Sequence, residues 1–400
     1  MIKPACNVRV SLLAIGVVLM PLSAQADLSG NLAFEWRAFI RSPVVAEQTD
    51  QQFSISGQAE WDRAWDENKQ RFTFTPFARI DSVDSERTHA DIRELSYLRI
   101  GEQHEWRVGI RKVYWGVTES QHLVDIINQT DLVEDPDGEE KLGQPMINLA
   151  LLGGWGSVDA FILPGFRERS FPGVQGRLRA AYPVDRSRST FDVSNRSAHT
   201  DMAVRWAKSS GTVDGGLSYF YGTSREPRFN VAFDNVGQPV LIPHYDLIGQ
   251  WGVDLQTVQG AALWKAEAIR RSGQDVTYWA STTGIEYTLS DWLHSGKDIG
   301  LIAEYLYDNR GDAALSPFQN DVMVGARVSF NDAESSDALI GVIADRNSRA
   351  RIYSLETSRR VGEYWKWSLK ARWFADIPAN DLLYGSSRDD FVKLEIARYF

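Results

Sequence analysis

Apolar and polar side chains alternate with a two-residue period along nearly the whole chain. The last ten residues, Phe391-Val392-Lys393-Leu394-Glu395-Ile396-Ala397-Arg398-Tyr399-Phe400, show the pattern and end on an aromatic residue. A strand of this kind has one greasy face and one wet face. No helical stretch is long enough to cover a sheet, so the greasy faces are expected to meet lipid and the wet faces a hydrated bore.

Reading from Asp27, alternation and turn residues place strands at 28–40, 52–66, 70–82, 89–101, 104–115, 146–154, 156–165, 198–208 and 212–222. The second half adds 245–259, 261–272, 276–289, 297–308, 320–331, 337–345, 350–361, 364–376 and 390–400. The expected fold is all-β: a transmembrane, up-and-down antiparallel barrel of about eighteen strands, with about sixteen as the other count. Short connectors such as 66–69, 153–156, 209–211 and 331–334 alternate with longer ones, of which 116–145, 166–197 and 223–244 stand out. An even count puts both termini in the periplasm, and segment 228–244 reads either as a loop hairpin or as a further strand pair. In 364–376, parity sends Trp365, Trp367, Leu369, Ala371 and Trp373 to the lipid and Lys366, Ser368, Lys370 and Arg372 inward. In 320–331 it sends Val322, Val324, Ala326, Val328 and Phe330 outward and Gly325, Arg327 and Ser329 inward. A lysine or arginine facing mid-bilayer costs about 2–4 kcal/mol, which explains the segregation. Strands 89–101 and 350–361 alternate less cleanly.

The front of the chain fits the same address. Lys3 and Arg9 precede an apolar run from Leu12 to Leu22, and Ala24-Gln25-Ala26 is a small-x-small cleavage pattern, so 1–26 reads as a signal peptide and 27–400 as the barrel. Cys6, the single cysteine, precedes the apolar run and leaves with the leader, so neither a lipid anchor nor a disulfide is expected. Losing Lys3 and Arg9 takes the basic count from 43 to 41 against 53 acidic residues, and the net charge from −10 to −12. Such an acidic chain repels phosphates, which argues against nucleic acid as a partner. A mean hydropathy of −0.31 without a second long apolar run excludes helical spans. Fourteen tryptophans and fourteen tyrosines suit headgroup belts, with Trp106, Trp115, Trp251, Trp365, Trp367 and Trp373 near strand ends.

The lumen is where chemistry is expected. Inward parity selects Arg107, Arg111, Arg205, Lys265, Arg271, Arg327, Lys366, Lys370, Arg372 and Lys393, and the acids Asp159, Asp214, Asp254, Glu267, Glu304, Asp308 and Glu395. Basic rings in a narrow conduit favour anions, and mutual pairing across strands is the competing account. Loop 116–145 is expected to fold inward as a constriction, with a short helical turn over 120–128 whose leucine, valine and isoleucines find shelter inside the barrel. His122, Asp125, Asn128 and Asp131 are its candidate residues, against the alternative of an ordinary external loop. Asn128 and Asp131 are also good turn and cap residues. Gly109 and Gly116 are expected to relieve crowding, and Trp115-Gly116 to close the strand at the outer interface. The acidic stretch 135–140 lacks the calcium-loop pattern and reads as an exposed turn, so no metal or other cofactor is expected. The six histidines fall at strand ends or in connectors, with no serine and carboxylate fixed beside them by spacing. A hydrolase is therefore a minor alternative.

Residues 91–166 carry a further signal. Ile92-Arg93-Glu94-Leu95-Ser96-Tyr97-Leu98 is followed by Trp106-Arg107-Val108-Gly109-Ile110-Arg111 and Val113-Tyr114-Trp115-Gly116, then by Val124-Asp125-Ile126-Ile127-Asn128-Gln129-Thr130-Asp131-Leu132. This order resembles a family of outer-membrane barrels of unassigned function with a "REAYL", "VGKQ…VWGE", "NPxDL" signature, and more distantly the alginate-export porins. Gln129 replaces the proline, and the acid after Trp-Gly is displaced to Glu119. Terminal Phe400 is similar to the signal read by outer-membrane assembly machinery, although Arg398 departs from its usual pattern. Barrel and lumen charges together lead to the expectation of an outer-membrane channel for small hydrophilic solutes, anions among them, in contact with lipid and the assembly machinery, as a monomer or homo-oligomer. The other reading is a closed barrel that scaffolds or exports a polymeric or hydrophobic cargo with periplasmic partners.

Overall fold

The structure, a computed structural model, describes residues 26–45, 48–195 and 198–400. The expected leader, 1–26, lies outside the described residues except for the backbone of Ala26. Eighteen antiparallel strands form one sheet, and Ala26–Phe39 closes it on Phe391–Tyr399 with Phe34 opposite Ile396. All eighteen stretches read from alternation are strands, with ends agreeing to within two residues except at one place. That exception is His104–Arg111, which stops four residues short of the expected Val113-Tyr114-Trp115 end. The eighteen-strand count holds, and 228–244 is a loop hairpin. Arg228–Phe233 and Pro239–Tyr245 join Thr190–Phe191 in a separate three-stranded sheet.

The outward face is apolar where parity places it. Leu32, Ile55, Val108, Val204, Val253, Leu301 and Val324 are exposed, as are Trp106, Trp251 and Trp365. The two untidy strands have identifiable causes. Thr75 pairs with Glu94 and Pro76 with Ile92, leaving Arg93 as an extra residue. Pro76 has no N–H to give the ladder, so a bulge is tolerated there, and it shifts the parity of His89–Ile100 halfway along. In Arg351–Val361 the outward set keeps Tyr353 and Leu355 in the middle but carries Arg351 and Arg359 at its ends. Gly109 has φ +133°, and a Cβ there would lie 2.0 Å from the Leu95 carbonyl oxygen, so the strand needs glycine at that point.

Candidate functional site

The connector between Arg111 and Gln144 leaves the barrel wall and crosses the lumen. Its ends are tied together by Asn128, whose Oδ1 accepts from Val113 N at 2.8 Å while Nδ2 donates to the carbonyls of Arg111 at 2.7 Å and Leu142 at 2.9 Å. Asp125 Oδ1 accepts from Trp115 N at 2.6 Å and Gly116 N at 3.0 Å. The expected helical turn over 120–128 does not form; a single hydrogen-bonded turn at 122–125 replaces it. The backbone amides of this stretch bond to side chains of the wall, which removes the need for helical pairing.

One half of the loop sits on an apolar wall. Trp115, Val124, Ile126 and Ile127 pack with Met146, Phe161, Leu163, Phe220, Ile248, Ile269 and Tyr278 from inward positions of successive strands. Trp115 is thus inside the barrel, its ring 5.8 Å from that of Phe161 and under the Arg205 guanidinium, and not in a headgroup belt. Two carboxylates of the same side hold the backbone. Glu267 Oε1 accepts from Val117 N at 2.7 Å and Thr118 N at 2.9 Å. Glu304 accepts from Glu119 N at 2.7 Å and Ser120 N at 2.8 Å. Arg327 pairs with Glu119 at 2.7 Å.

The other half meets a charged wall. Asp131 accepts from Arg93 at 2.9 Å and from Ser170 at 2.6 Å, and Glu134 pairs with Arg79 at 2.8 Å. Asp135 pairs with Lys370 and Lys393 at 3.0 Å each, and Asp137 with Lys370. The acidic turn expected at the surface is therefore docked in the lumen, with Asp135 buried. Local sequence could not show this, because the partners lie more than two hundred positions away. Burial alone would raise the Asp135 carboxyl, but Lys393 and Lys370 hold it well below the usual range. Burial pushes Asp137 up, and its neighbour Asp135 adds to the rise. His122 lies between Glu139 at 3.2 Å and Glu267 at 3.7 Å. Burial acts to lower its pKa, yet the two carboxylates outweigh burial and hold it at about 10.

A cavity of about 380 Å³ remains between the loop and the strands beyond it. Its lining includes Lys141, Arg169, Arg225, Arg271, Arg310 and Arg372 against Asp125, Asp137, Glu139, Glu226 and Asp308, six cations to five acids. Arg271 pairs with Glu226, and Arg310 pairs with Asp308 while lying 3.5 Å from the Tyr278 ring centroid. Arg169 donates to Gln129 at 3.2 Å and makes no ion pair among the described residues.

Of the inward bases named from parity, Arg271 and Arg372 line this cavity and Lys370 lies behind it under the acidic turn. Elsewhere Arg205 pairs with Asp254 at 2.7 Å and Arg107 with Glu105 at 2.8 Å, while Lys265 and Arg327 each approach Glu286 at 3.6 Å. The side chain of Arg111 has no ion-pair partner among the described residues, and Arg111 gives its carbonyl to Asn128. His122, Asp125 and Asn128 border the cavity, while Asp131 is fully buried. Phe400 bonds through its backbone to Gly30, at the seam where the barrel closes. Parity could have found Glu35, Arg37 and Arg79, which face inward. It offered nothing for Arg169, Arg225 and Arg310, which sit outside the strands.

The outer sheet holds a hydroxyl–imidazole–carboxylate row that sequence spacing did not reveal. Thr190 Oγ1 lies 2.9 Å from His244 Nδ1, and His244 Nε2 lies 3.2 Å from Asp192. Thr190 is exposed and outside the lumen cavity. Asp192, His244 and Asp246 also bring possible metal-ligating atoms within 4.8 Å of one another, but Arg228 already occupies Asp246 through two nitrogens.

No protein-family model matches the chain, and neither does any curated protein. Solved structures do resemble it. A BenF-like porin from Pseudomonas fluorescens superposes with a TM-score of 0.53 at 11% identity, covering 94% of this chain and 98% of that one. OpdQ of Pseudomonas aeruginosa gives 0.51 at 10% identity, covering 94% and 96%. Likeness at this level of identity shows the fold: a porin-type barrel.

Proposed function

We propose that this barrel is an outer-membrane channel through which small hydrophilic anions diffuse, with the inward loop 112–143 as its constriction. The observation that carries the reading is the cavity beside that loop. In a protein of net charge −10, its lining has more cations than acids. Fixed positive charge in a narrow, partly dehydrated passage lowers the barrier for anions, and guanidinium forks suit carboxylate or phosphate oxygens. Arg169 is the group best placed to act on a solute, since it lines the cavity and makes no ion pair among the described residues. Two features fit a bilayer location: the exposed apolar belt outside and the eighteen-stranded ladder that closes on itself.

The test is single-channel recording in planar bilayers under a salt gradient. Stepwise conductance is expected, with a reversal potential on the anion-selective side, and Arg169→Ala should move that potential toward cations. A silent protein would instead favour the closed barrel that works with periplasmic partners.

A further inference from the structure

The charged wall and the loop that covers it are not independently neutral. Beside Arg93, which Asp131 and Asp91 serve, six cations face this part of the lumen: Arg37, Arg79, Arg87, Lys370, Arg372 and Lys393. Three acids of the wall are ion-paired to these six among the described residues. Glu35 and Asp81 serve Arg87 at 2.9 Å each, and Glu356 reaches Lys370 at 3.1 Å. The other three acids in contact, Glu134, Asp135 and Asp137, all come from the loop.

Stripped of that acidic run, these six cations would lose three of the six acids they pair with, and Arg372 and Lys393 would lose their ion pairs altogether among the described residues. Even with the run in place, donors are left over. Arg37 is 4% exposed, and its Nη2 faces Glu35 Oε1 at 3.4 Å outside hydrogen-bond geometry, while Arg37 Nε and Arg372 Nε have no hydrogen-bond partner. The contact from Arg372 to Asp137 is long, 3.7 Å. Asp137 and Arg372 both border the open cavity, so this junction is reached from the solute side.

We propose that Lys370, Arg372, Lys393 and Arg37 form a binding site for a small dianion, which Asp135 and Asp137 occupy as a tethered substitute until an entering solute displaces them. The inference rests on the anion-channel reading and adds to it a place and a charge type. Two carboxylates two residues apart present the wall with paired acidic groups, and a free dicarboxylate offers the same chemistry without the tether. After the exchange each cation again has a carboxylate oxygen beside it, so no buried positive charge is left unpaired. A site that its own loop fills binds solute with an apparent affinity reduced by the fraction of time it stands empty.

The experiment measures succinate flux into proteoliposomes as a function of concentration for the full chain and two variants. In Asp135→Asn/Asp137→Asn the competitor is neutralised, and the half-saturating succinate concentration should fall by about ten-fold. Glu119→Gln loosens the other side of the loop, at Arg327, and should leave that concentration unchanged. Equal half-saturation in wild type and the double variant overturns the inference while leaving the channel reading standing. An equal fall in Glu119→Gln also overturns it, since general loosening of the loop would then be the cause. Lys370→Gln in the double-variant background checks the site itself: half-saturation should rise again, and no change would place succinate elsewhere. Absence of any anion flux in wild type sinks the underlying channel reading instead.

Discussion

The lumen has two walls that hold the same loop by different physics. On one, Val124 and Ile127 are buried among side chains from strands between Gln144 and Leu289. On the other, Glu134, Asp135 and Asp137 meet arginines and lysines from strands at both ends of the chain. Apolar burial is non-directional and is not screened by salt, and each large side chain contributes about 1.5–3 kcal/mol. A buried ion pair gains less than its Coulomb energy suggests, because both partners lose water, so its net contribution is small although breaking one partner is costly. The apolar half is therefore the fixed anchor of the loop and the charged half its exchangeable end. A constriction built this way can alter its ion contacts without leaving the barrel.

The largest effect that would break this contrast is expected from Val124→Asp. It sets a carboxylate in the apolar cluster beside Glu267, whose Oε2 accepts from Val124 N at 3.2 Å. An uncompensated buried charge costs about 3–5 kcal/mol, so the loop should leave the wall. Trypsin should then cut within 112–141 of the folded barrel, and conductance should rise. A loop still protected in this variant would show that the charged wall alone suffices to hold it.

A smaller effect comes from salt. Raising ionic strength from about 0.1 M to about 1 M shortens the screening length from about 10 Å to about 3 Å. Hydrogen exchange should quicken by about three-fold over 131–139 and hold steady over 113–128. Equal change in both halves would erase the distinction between them.

The smallest concerns His122, where the two halves meet. Its pKa is raised to about 10 from an ordinary value of about 6.5. A folded-state pKa above the unfolded one stabilises fully below about pH 6.5, and that contribution disappears as pH rises through about 10. Denaturation midpoints of wild type and His122→Gln should differ most at pH 6 and converge by about pH 10.5. A gap that does not depend on pH would mean that His122 acts by packing and not by charge.

Much of the architecture was legible in the chain before folding was considered. Trp365 outward and Lys370 inward follow from the pleat alone. The irregular strands were legible only as irregular: Pro76 and Arg93 needed the register of two strands before they made sense as a bulge. The inward course of the loop was readable because its apolar residues needed shelter, but its conformation was not. Helical spacing over 120–128 was overridden once Glu304 and Glu267 supplied acceptors for the backbone amides of Ser120 and Val124. The wet-bore expectation was half right, since Phe161, Phe220 and Ile248 face inward and the loop covers them.

By itself the sequence determined the approximate number of strands, the face of each side chain in the regular strands and the oily exterior. These are local properties, because a pleat has a period of two and a one-residue slip would turn every charge toward lipid. Only the tertiary structure decided which inward groups meet. Asp135 finds Lys370 and Lys393 because the barrel closes and its diameter sets how far a loop must reach. No periodicity along the chain encodes that distance.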